Sequence, residues 1–404
     1  MPTESIASKN PIRILVCPSG FKGSLQPTTA ANCIEDGILA VEPHAVVRKV
    51  PLVDGGEGFT RALIEATHGI MQPVSVCGPL GRPIMSFFGV LGHRDDEGPC
   101  TAVIEMAAAA GLSLVPPDFR NPGLTTTYGV GELILAALDA GATRILVGCG
   151  DSGTCDGGAG MLQALGARLL NAHGKPLPIA QGGESLLELH SIDLSAVDRR
   201  IRHTEIDVAV NWHNVLGGPD GVANIFGPQK GATTAQTARL SQAMEVLAEV
   251  ASRILGDDNV RLAPGGGASG GLGTGLRLIG ARLRPRYEIV MQYINLRGMF
   301  EDCDLVVTAE GGIDYQTPRG KIPAEVARLA KKHGLPVIAI AGTIGPGARV
   351  NYDVGIDAFT CILQRPMTLD DAVEEAESLT RESAELVMRI VSIGRMLGKK
   401  PLMP

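Results

Sequence analysis

The stretch "RILVGCGDSGTCDGGAGMLQALGA", residues 144–167, carries the pattern from which the fold class follows. A short apolar run ends at Gly150, a loop of glycines and hydroxyl side chains follows, and an apolar segment with helical periodicity begins near Gly157. A buried strand, a Gly-rich turn and a helix in this order are typical of a parallel sheet with helices packed on it. The stretch therefore predicts an α/β fold, with its polar loop at the carboxyl edge of the sheet.

The same alternation continues in both directions along the chain. Further apolar runs at 12–17 ("IRILVC"), 304–311 ("DLVVTAEG") and 336–342 ("PVIAIAG") predict buried parallel strands. Between such runs, 129–141 ("GVGELILAALDAG") and 323–334 ("PAEVARLAKKHG") carry helix start and stop signals. Alternating strands and helices predict a parallel sheet with helices on both faces.

Two regions lack this alternation, and the chain of 404 residues is too long for one compact core. Residues 71–125 contain short strands and turns without an obvious crossover helix, and residues 212–295 combine a long helical run with the Gly-rich "PGGGASGGLGTG" at 264–275. We predict that 71–125 and 212–295 form a second α/β domain inserted into the first. The first domain then comprises residues 1–70, 126–211 and 296–404.

Composition and charge exclude several classes of function. The net charge is −7 and no basic block is present, so we expect no nucleic-acid partner. No apolar stretch is long enough to cross a membrane, and the first ten residues lack the apolar core of a signal peptide, which predicts a cytoplasmic protein without a membrane partner. The eight cysteines are scattered without metal-ligand spacing, so reduced, mostly buried thiols are expected.

Two loops near the amino terminus combine glycines with charged side chains. In "CPSGFKGSL" (17–25), Ser19 and Gly20 let backbone N–H groups approach an anion and Lys22 adds a positive charge. This segment either binds phosphate or is an ordinary turn with a surface lysine. In "VDGGEGF" (53–59), Asp54 and Glu57 flank paired glycines. These two carboxylates either bind hydroxyl groups, position Mg²⁺ or act as a base, or they are solvated acids of a tight turn.

Two later loops add further polar groups after predicted strands. In "GCGDSGTCDGGAG" (148–160), Ser152 and the N–H groups of Gly157 and Gly158 are candidates for phosphate binding. Asp156 is either the N-cap of the following helix or a carboxylate directed into a cleft as base or metal ligand. The loop "AEGGIDYQTPRGK" (309–321) crowds polar side chains after another strand; these are Glu310, Asp314, Gln316, Thr317 and Lys321.

Four such loops at strand ends can converge on one crevice, although each alone fits a solvated turn. Their phosphate-binding donors, carboxylates and lysines favour phosphoryl transfer, since no Cys–His or Ser–His pattern for acyl transfer is present.

In order along the chain, "PSGFKGSL", "DGGEGF", "GPLGRP", "IEMAAAAGL", "NPGLTTTYGVGELI", "DSGTCDGGAGMLQALG", "FGPQKGAT" and "EGGIDYQTPRGK" closely resemble signature segments of bacterial glycerate kinases of the type that forms 2-phosphoglycerate. The resemblance runs from about residue 12 to about residue 390. It implies a kinase dependent on ATP and Mg²⁺, with a discontinuous Rossmann-like domain, a second α/β domain and an active site in the cleft between them. The residues that match the family's segments are Lys22, Asp54, Glu57, Ser152, Asp156, Asp314, Gln316 and Lys321.

The chain departs from the family's pattern at "NWHNVL", residues 211–216. Where the family usually has an Asp-x-Asp-Asn-Pro segment, Asn211 and His213 replace the two acids, and Asn214 is retained. An amide cannot act as a base, but an imidazole can. Elsewhere Asp151 stands where glycine is more common, Cys155 where asparagine is usual, and Gly312 where arginine is usual.

The resemblance implies phosphorylation of a small hydroxy acid, with glycerate as the expected acceptor. The expected catalytic residues are Lys22, Asp156, Asp314 and His213. The expected phosphate-binding residues are Ser19, Gly20, Lys22, Ser152, Gly157 and Gly158. The expected substrate-binding residues are Asp54, Glu57, Asn211, Asn214, Gln316 and Lys321. The alternatives are a changed substrate, a non-kinase reaction that uses His213, and a homologue that binds ligand without turnover.

Overall fold

The computed structural model describes residues 11–21, 23–52, 55–92, 100–293 and 296–398; the predicted site residues Lys22 and Asp54 lie outside this part of the chain. The strands are β1 (Arg13–Pro18), β2 (Val46–Lys49), β3 (Ile70–Cys77), β4 (Pro83–Val90), β5 (Thr101–Glu105), β6 (Arg144–Gly148), β7 (Arg168–Leu170), β8 (Ser191–Asp193), β9 (Glu205–Val210), β10 (Arg282–Pro285), β11 (Leu305–Ile313), β12 (Val337–Ile344) and β13 (Ala358–Cys361). The helices are α1 (Pro27–Val41), α2 (Phe59–Thr67), α3 (Ala107–Ala110), α4 (Tyr128–Asp139), α5 (Ala159–Ala164), α6 (Val222–Phe226), α7 (Thr234–Leu255), α8 (Ala268–Leu278), α9 (Arg286–Tyr293), α10 (Leu296–Phe300), α11 (Ile322–Lys332), α12 (Leu369–Glu374) and α13 (Ala376–Gly398).

The first compact unit is built from two chain segments, Met1–Val53 and Ile294–Pro404. Its sheet has the strand order β13-β12-β11-β1-β2, and all neighbouring strands are parallel. The inner strands are nearly continuous apolar runs because both faces of a parallel sheet are covered. Helices α1 and α13 pack on each other at Gly37, where a Cβ atom would lie 2.4 Å from the carbonyl oxygen of Arg381.

The second compact unit, Asp54–Tyr293, lies between these segments in the chain. Its main sheet has the order β10-β9-β6-β5-β4-β3. Strands β3 and β4 are antiparallel to their neighbours, whereas β5, β6, β9 and β10 run parallel. Strands β7 and β8 form a separate antiparallel pair. One large apolar core from this unit's sheet and helices stabilises it.

The predicted α/β class, with a discontinuous parallel-sheet domain and an inserted second domain, is confirmed. The division of the chain differs from the predicted one, because residues 54–70 and 126–211 also belong to the inserted unit. In that unit β6 pairs with β5 and β9, with Val147 opposite both Ile104 and Val208. Apolar periodicity identifies β6 and β9 as buried strands, but it does not encode which sheet they join.

Individual elements agree closely with their sequence signals. The predicted helix at 323–334 is α11, with Pro323 in its first turn and lysines in its last. Helix α7 begins with a capping box in which the Thr233 hydroxyl accepts from the N–H of Gln236 at 3.3 Å. Within the described ranges no helix has the length and apolar character needed to cross a membrane.

Candidate active site

The parallel strands of the second unit end at a common edge, where several polar loops begin. Glu105, the last residue of β5, pairs with Gly148, the last residue of β6. Gly148 in turn pairs with Ala209, one residue before the end of β9. The loops after Gly148 and Val210 therefore leave the sheet on the same side, as predicted for loops that follow parallel strands.

The loop before α2 reaches this edge through Gly55 and Glu57. A Cβ atom on Gly55 would lie 3.4 Å from both the Cys149 nitrogen and the Ala209 carbonyl oxygen, so the backbones approach closely. The N–H of Glu57 donates to the Asp151 carboxylate at 3.1 Å, and the exposed Glu57 carboxylate accepts from the Ser113 hydroxyl. The structure thus brings the predicted Glu57 to the edge where the loop after β6 begins.

Asp151 adopts a left-handed backbone conformation with φ of 45°. This region favours glycine, which agrees with the glycine that is more common at this position in the family pattern. An aspartate tolerates the conformation better than most side chains, and here its carboxylate gains the hydrogen bond from Glu57. The exposed Asp151 carboxylate is therefore a polar group at the sheet edge.

Asp156 is buried and fully engaged, which corrects its predicted role. Its carboxylate accepts from the N–H and hydroxyl of Thr127 at 2.8 and 2.9 Å, and from the N–H groups of Gly158 and Gly160 at 3.1 and 3.2 Å. Burial raises the pKa of Asp156, and these hydrogen bonds oppose the rise. The N-cap residue of α5 is Gly158, so Asp156 is not the N-cap itself, although its carboxylate accepts from N–H groups at the start of this helix. The carboxylate is directed at these donors and not into a cleft as base or metal ligand.

The same contacts correct the phosphate site predicted at this helix. The N–H of Gly158 donates to Asp156, and the N–H of Gly157 donates to the Gly270 carbonyl oxygen at 2.9 Å. Gly157 is left-handed, with φ of 62°, and a Cβ atom there would lie 2.2 Å from a methyl group of Leu247, so backbone conformation and packing both favour glycine. Neither N–H group is available to an anion.

Lys230 is a buried residue at this edge to which the sequence analysis assigned no role. Its side chain is 3% exposed, and its Nζ donates to the Ser152 hydroxyl and to the Thr154 carbonyl oxygen, both at 2.7 Å. Burial lowers the pKa of Lys230, while Cys155 and Asp156 act in the opposite direction. The only sequence signal was its place in "FGPQKGAT", one of the family-like segments.

Glu105 was also missed, because it lies in an otherwise apolar strand. Its side chain is buried, and it accepts from the N–H of Thr60 at 2.9 Å at the start of α2. Burial raises the pKa of Glu105, and hydrogen bonds from Thr60 and Gly58 oppose the rise. Glu105 therefore fixes the start of α2, and with it the loop that carries Glu57.

The "NWHN" segment forms a polar turn directly after β9. The Asn211 side-chain oxygen accepts from the N–H of His213, and the Asn211 carbonyl accepts from the N–H of Asn214, both at 3.1 Å. A carboxylate oxygen at position 211 would make the same turn. The His213 side chain is exposed, and the Asn214 carbonyl oxygen accepts from the N–H of Gly267 at 3.1 Å. The predicted Asn211, His213 and Asn214 therefore lie together at the edge.

The Gly-rich stretch packs under these loops as a turn. Ser269, Gly270 and Gly271 are all left-handed, with φ of 52°, 73° and 89°. A Cβ atom on Gly270 would lie 2.0 Å from the Thr154 carbonyl oxygen. Close approach of two backbones explains this glycine.

In the first unit, Ser19 and Gly20 follow β1. The N–H and hydroxyl of Ser19 both donate to the Ala309 carbonyl oxygen, at 2.8 and 3.0 Å, and Ser19 is buried. A Cβ atom on Gly20 would lie 2.9 Å from the Leu25 carbonyl oxygen. The donors of Ser19 are thus engaged within the sheet, which corrects its predicted role as a phosphate ligand. Gly20 is required by the tight turn after β1.

The loop after β11 brings the predicted Asp314, Gln316 and Lys321 together. The Asp314 Oδ1 atom accepts from the N–H of Gln316 at 2.7 Å and pairs with the Lys321 Nζ at 3.5 Å. The Lys321 Nζ also lies 3.4 Å from the Gly312 carbonyl oxygen. Both charged side chains are partly exposed, at 27% and 25%, so the pair remains accessible to a ligand.

Gly312 leaves room beside this pair. A Cβ atom there would meet only the Thr343 hydroxyl oxygen, at 3.2 Å, within a radius of 4 Å. No backbone requirement therefore explains a glycine at this position. Within the described ranges, histidine, cysteine and carboxylate side chains form no group of three or more that could hold a metal ion.

Comparisons with known proteins agree on one family. The sequence model of the glycerate kinase family matches residues 14–392. Glycerate kinase of Bacillus subtilis (strain 168) is 44% identical over 387 residues, which cover 96% of this chain and 99% of that protein. Glycerate 2-kinase of Escherichia coli (strain K12) is 43% identical over 384 residues, covering 95% of this chain and 99% of that protein.

A solved structure extends the agreement to three dimensions. A crystal structure from Salmonella typhimurium LT2, provisionally named glycerate kinase 2, superimposes with a TM-score of 0.78 at 43% identity. The match covers 96% of this chain and all of that chain (100%). The sequence, the α/β fold of the two units and these comparisons together show that the chain belongs to the glycerate kinase family and is a phosphotransferase with an alcohol group as acceptor.

Proposed function

We propose that this protein transfers the γ-phosphoryl group of ATP to glycerate and forms 2-phosphoglycerate. The observation that carries the proposal is the partly exposed Asp314–Lys321 pair at the carboxyl end of β11, which combines a carboxylate with a cation beside an accessible loop. The relatives named glycerate kinase and glycerate 2-kinase support glycerate as acceptor and its 2-hydroxyl as the site of transfer.

In the proposed reaction, the 2-hydroxyl oxygen of glycerate bonds to the γ-phosphorus, the bond from that phosphorus to the ADP oxygen breaks, and the hydroxyl proton passes to the Asp314 carboxylate. The Lys321 ammonium and the Gln316 amide bind anionic and polar oxygens of the hydroxy acid. At the sheet edge of the second unit, Ser152, Glu57, Asn211 and Asn214 stay predicted binding residues for phosphate and hydroxyl oxygens.

Mg²⁺ is the expected partner of the nucleotide, and the Asp314 carboxylate is a fitting ligand for it, in a role that would replace proton acceptance by this side chain. The Asp314 contacts all fall on Oδ1, and among the described residues no partner is found for its Oδ2 atom. Mg²⁺ usually takes only one or two protein carboxylates together with substrate phosphates, so a site without three clustered ligands suits it. The ion would neutralise charge on the transferring phosphoryl group.

The test is a coupled ADP-release assay with D-glycerate, ATP and Mg²⁺, with the product position read by phosphorus NMR. We expect turnover in the wild type, and a fall in kcat of about 10²- to 10⁴-fold in Asp314→Asn, because the amide cannot accept the proton. Asp353→Asn, an exposed acid of the same unit, is the matched control and should keep wild-type activity. Absence of glycerate-dependent ADP release in the wild type would refute the proposal.

Gly312 favours one second candidate, a related hydroxy acid as acceptor. The space there would admit a larger or uncharged acceptor that needs no arginine clamp. The same assay with a panel of 2-hydroxy acids decides between the two. A kcat/KM for another acid that exceeds that for glycerate would replace glycerate as the substrate.

A further inference from the structure

We propose that Lys230 is a positioning residue that holds the Ser152 hydroxyl as a hydrogen-bond donor for an anionic oxygen of the substrate. The inference rests on the proposed function, because it assigns a phosphate or carboxylate oxygen as the partner of Ser152. It concerns a lysine that is too deeply buried to reach the substrate itself, with 3% of its surface exposed.

The direction of the hydrogen bond between the two side chains is fixed by their chemistry. An ammonium group has three donors and no acceptor, whereas a hydroxyl can both accept and donate. The Lys230 Nζ therefore donates to the Ser152 oxygen at 2.7 Å, and the hydroxyl hydrogen of Ser152 must point elsewhere. Among the described residues, no acceptor for that hydrogen is found.

The surroundings hold Lys230 in this one arrangement. A second donor of its Nζ is taken by the Thr154 carbonyl oxygen at 2.7 Å, and the Cys155 sulfur lies 4.0 Å away. The Lys230 N–H donates to the Gly227 carbonyl oxygen at 3.0 Å, and Gly231 follows with φ of 96°. The Lys230 side chain thus connects the loop segment from Ser152 to Thr154 with the turn formed by Gly227–Gly231.

The position of Ser152 gives its free hydrogen a role. Ser152 lies four residues after the end of β6, at the sheet edge shared with Glu57 and Asn211. It is 7% exposed, and its oxygen already accepts from a cation. A hydroxyl that accepts from an ammonium group becomes a stronger donor, and anionic oxygens are the acceptors that gain most from it.

A double-mutant cycle tests whether the two residues act as one unit. The variants are Lys230→Met, Ser152→Ala and both together, with Lys175→Met, an exposed lysine of the same unit, as the matched control. We expect each single variant to lose about 10²-fold in kcat/KM for the wild-type reaction, and the double variant to lose no more than the worse single variant. The control should match the wild type.

A conservative variant and the outcome of the cycle distinguish a positioning role of Lys230 from a purely structural role. Lys230→Gln keeps a hydrogen-bond donor at this position. In a protein that retains Ser152, it should recover part of the activity that Lys230→Met loses. If Lys230→Met does not fold, Lys230→Gln replaces it in the cycle. If the loss of kcat/KM in the double variant equals the product of the two single losses, or if Ser152→Ala keeps full activity, the inference is wrong. Turnover of glycerate by the wild type would still support the proposed function in that case. No wild-type turnover with any hydroxy acid would overturn both.

Discussion

At the residue scale, Asp156 illustrates how one carboxylate can organise a loop without meeting a ligand. It accepts from Thr127, Gly158 and Gly160, and so joins the start of α4 to the start of α5. These donors are helix-end N–H groups and a buried hydroxyl that would otherwise lack partners. The cost of burying the charge is offset because all the donors converge on it.

Replacing this carboxylate should therefore affect stability. We expect Asp156→Ala to lower the free energy of unfolding by at least about 3 kcal/mol, since several buried donors lose their acceptor together. Asp156→Asn, which keeps one acceptor oxygen, should lose less. Urea unfolding followed by circular dichroism measures both, with exposed Asp220→Ala as control. A wild-type free energy of unfolding in Asp156→Ala, with loss of turnover alone, would restore the catalytic interpretation.

The sequence predicted many of the residues at the sheet edges but not their individual partners. Asn211 and Lys321 were identified because polar residues after buried strands must lie at the carboxyl edge. Asp156 was left between two roles, because a carboxylate just before a helix can either cap the helix or face a cleft as base or metal ligand. Lys230 was missed because a lysine between glycines resembles a solvated turn, and its burial depends on contacts far along the chain.

At the element scale, Glu105 links the end of strand β5 to the start of helix α2. Its carboxylate takes the place of an N-cap side chain, since the N-cap residue of α2 is Gly58 and has none. No local sequence pattern predicts this cap, because Thr60 and Glu105 are 45 residues apart. The link matters for the site because α2 follows directly after the loop that carries Glu57.

The raised pKa of Glu105 predicts a pH-dependent contribution to stability. As pH rises from below the ordinary glutamate pKa, the unfolded chain releases this proton first, so the folded state loses relative stability until the folded-state pKa is passed. The wild type should therefore lose stability relative to Glu105→Gln as pH rises from about 4 towards 7. Urea titrations across that range measure it, with exposed Glu65→Gln on the same helix as control. A pH-independent difference between wild type and Glu105→Gln would contradict the prediction.

At the scale of the whole molecule, the assignment of strands to sheets is the part of the fold that the sequence could not supply. Strands β1, β6, β9 and β11 carry similar buried apolar runs, yet β6 and β9 join one sheet while β1 and β11 join the other. Strand pairing between β1 and β11 joins residues almost three hundred positions apart, such as Ile14 and Leu305. Periodicity over ten or twenty residues contains no information on such pairs.

This connectivity makes the two units unequal in their ability to fold alone. The second unit is continuous in sequence from Asp54 to Tyr293 and has its own core, so a fragment with these bounds should unfold cooperatively. In the first unit, β1 and β2 come from one segment while β11, β12 and β13 come from the other, so residues 1–53 alone cannot complete a sheet. We expect a sharp thermal transition by circular dichroism for fragment 54–293 and no transition for fragment 1–53. A gradual, non-cooperative transition of fragment 54–293 would show that its core depends on the segments that flank it, and that insertion has made the two units a single folding unit.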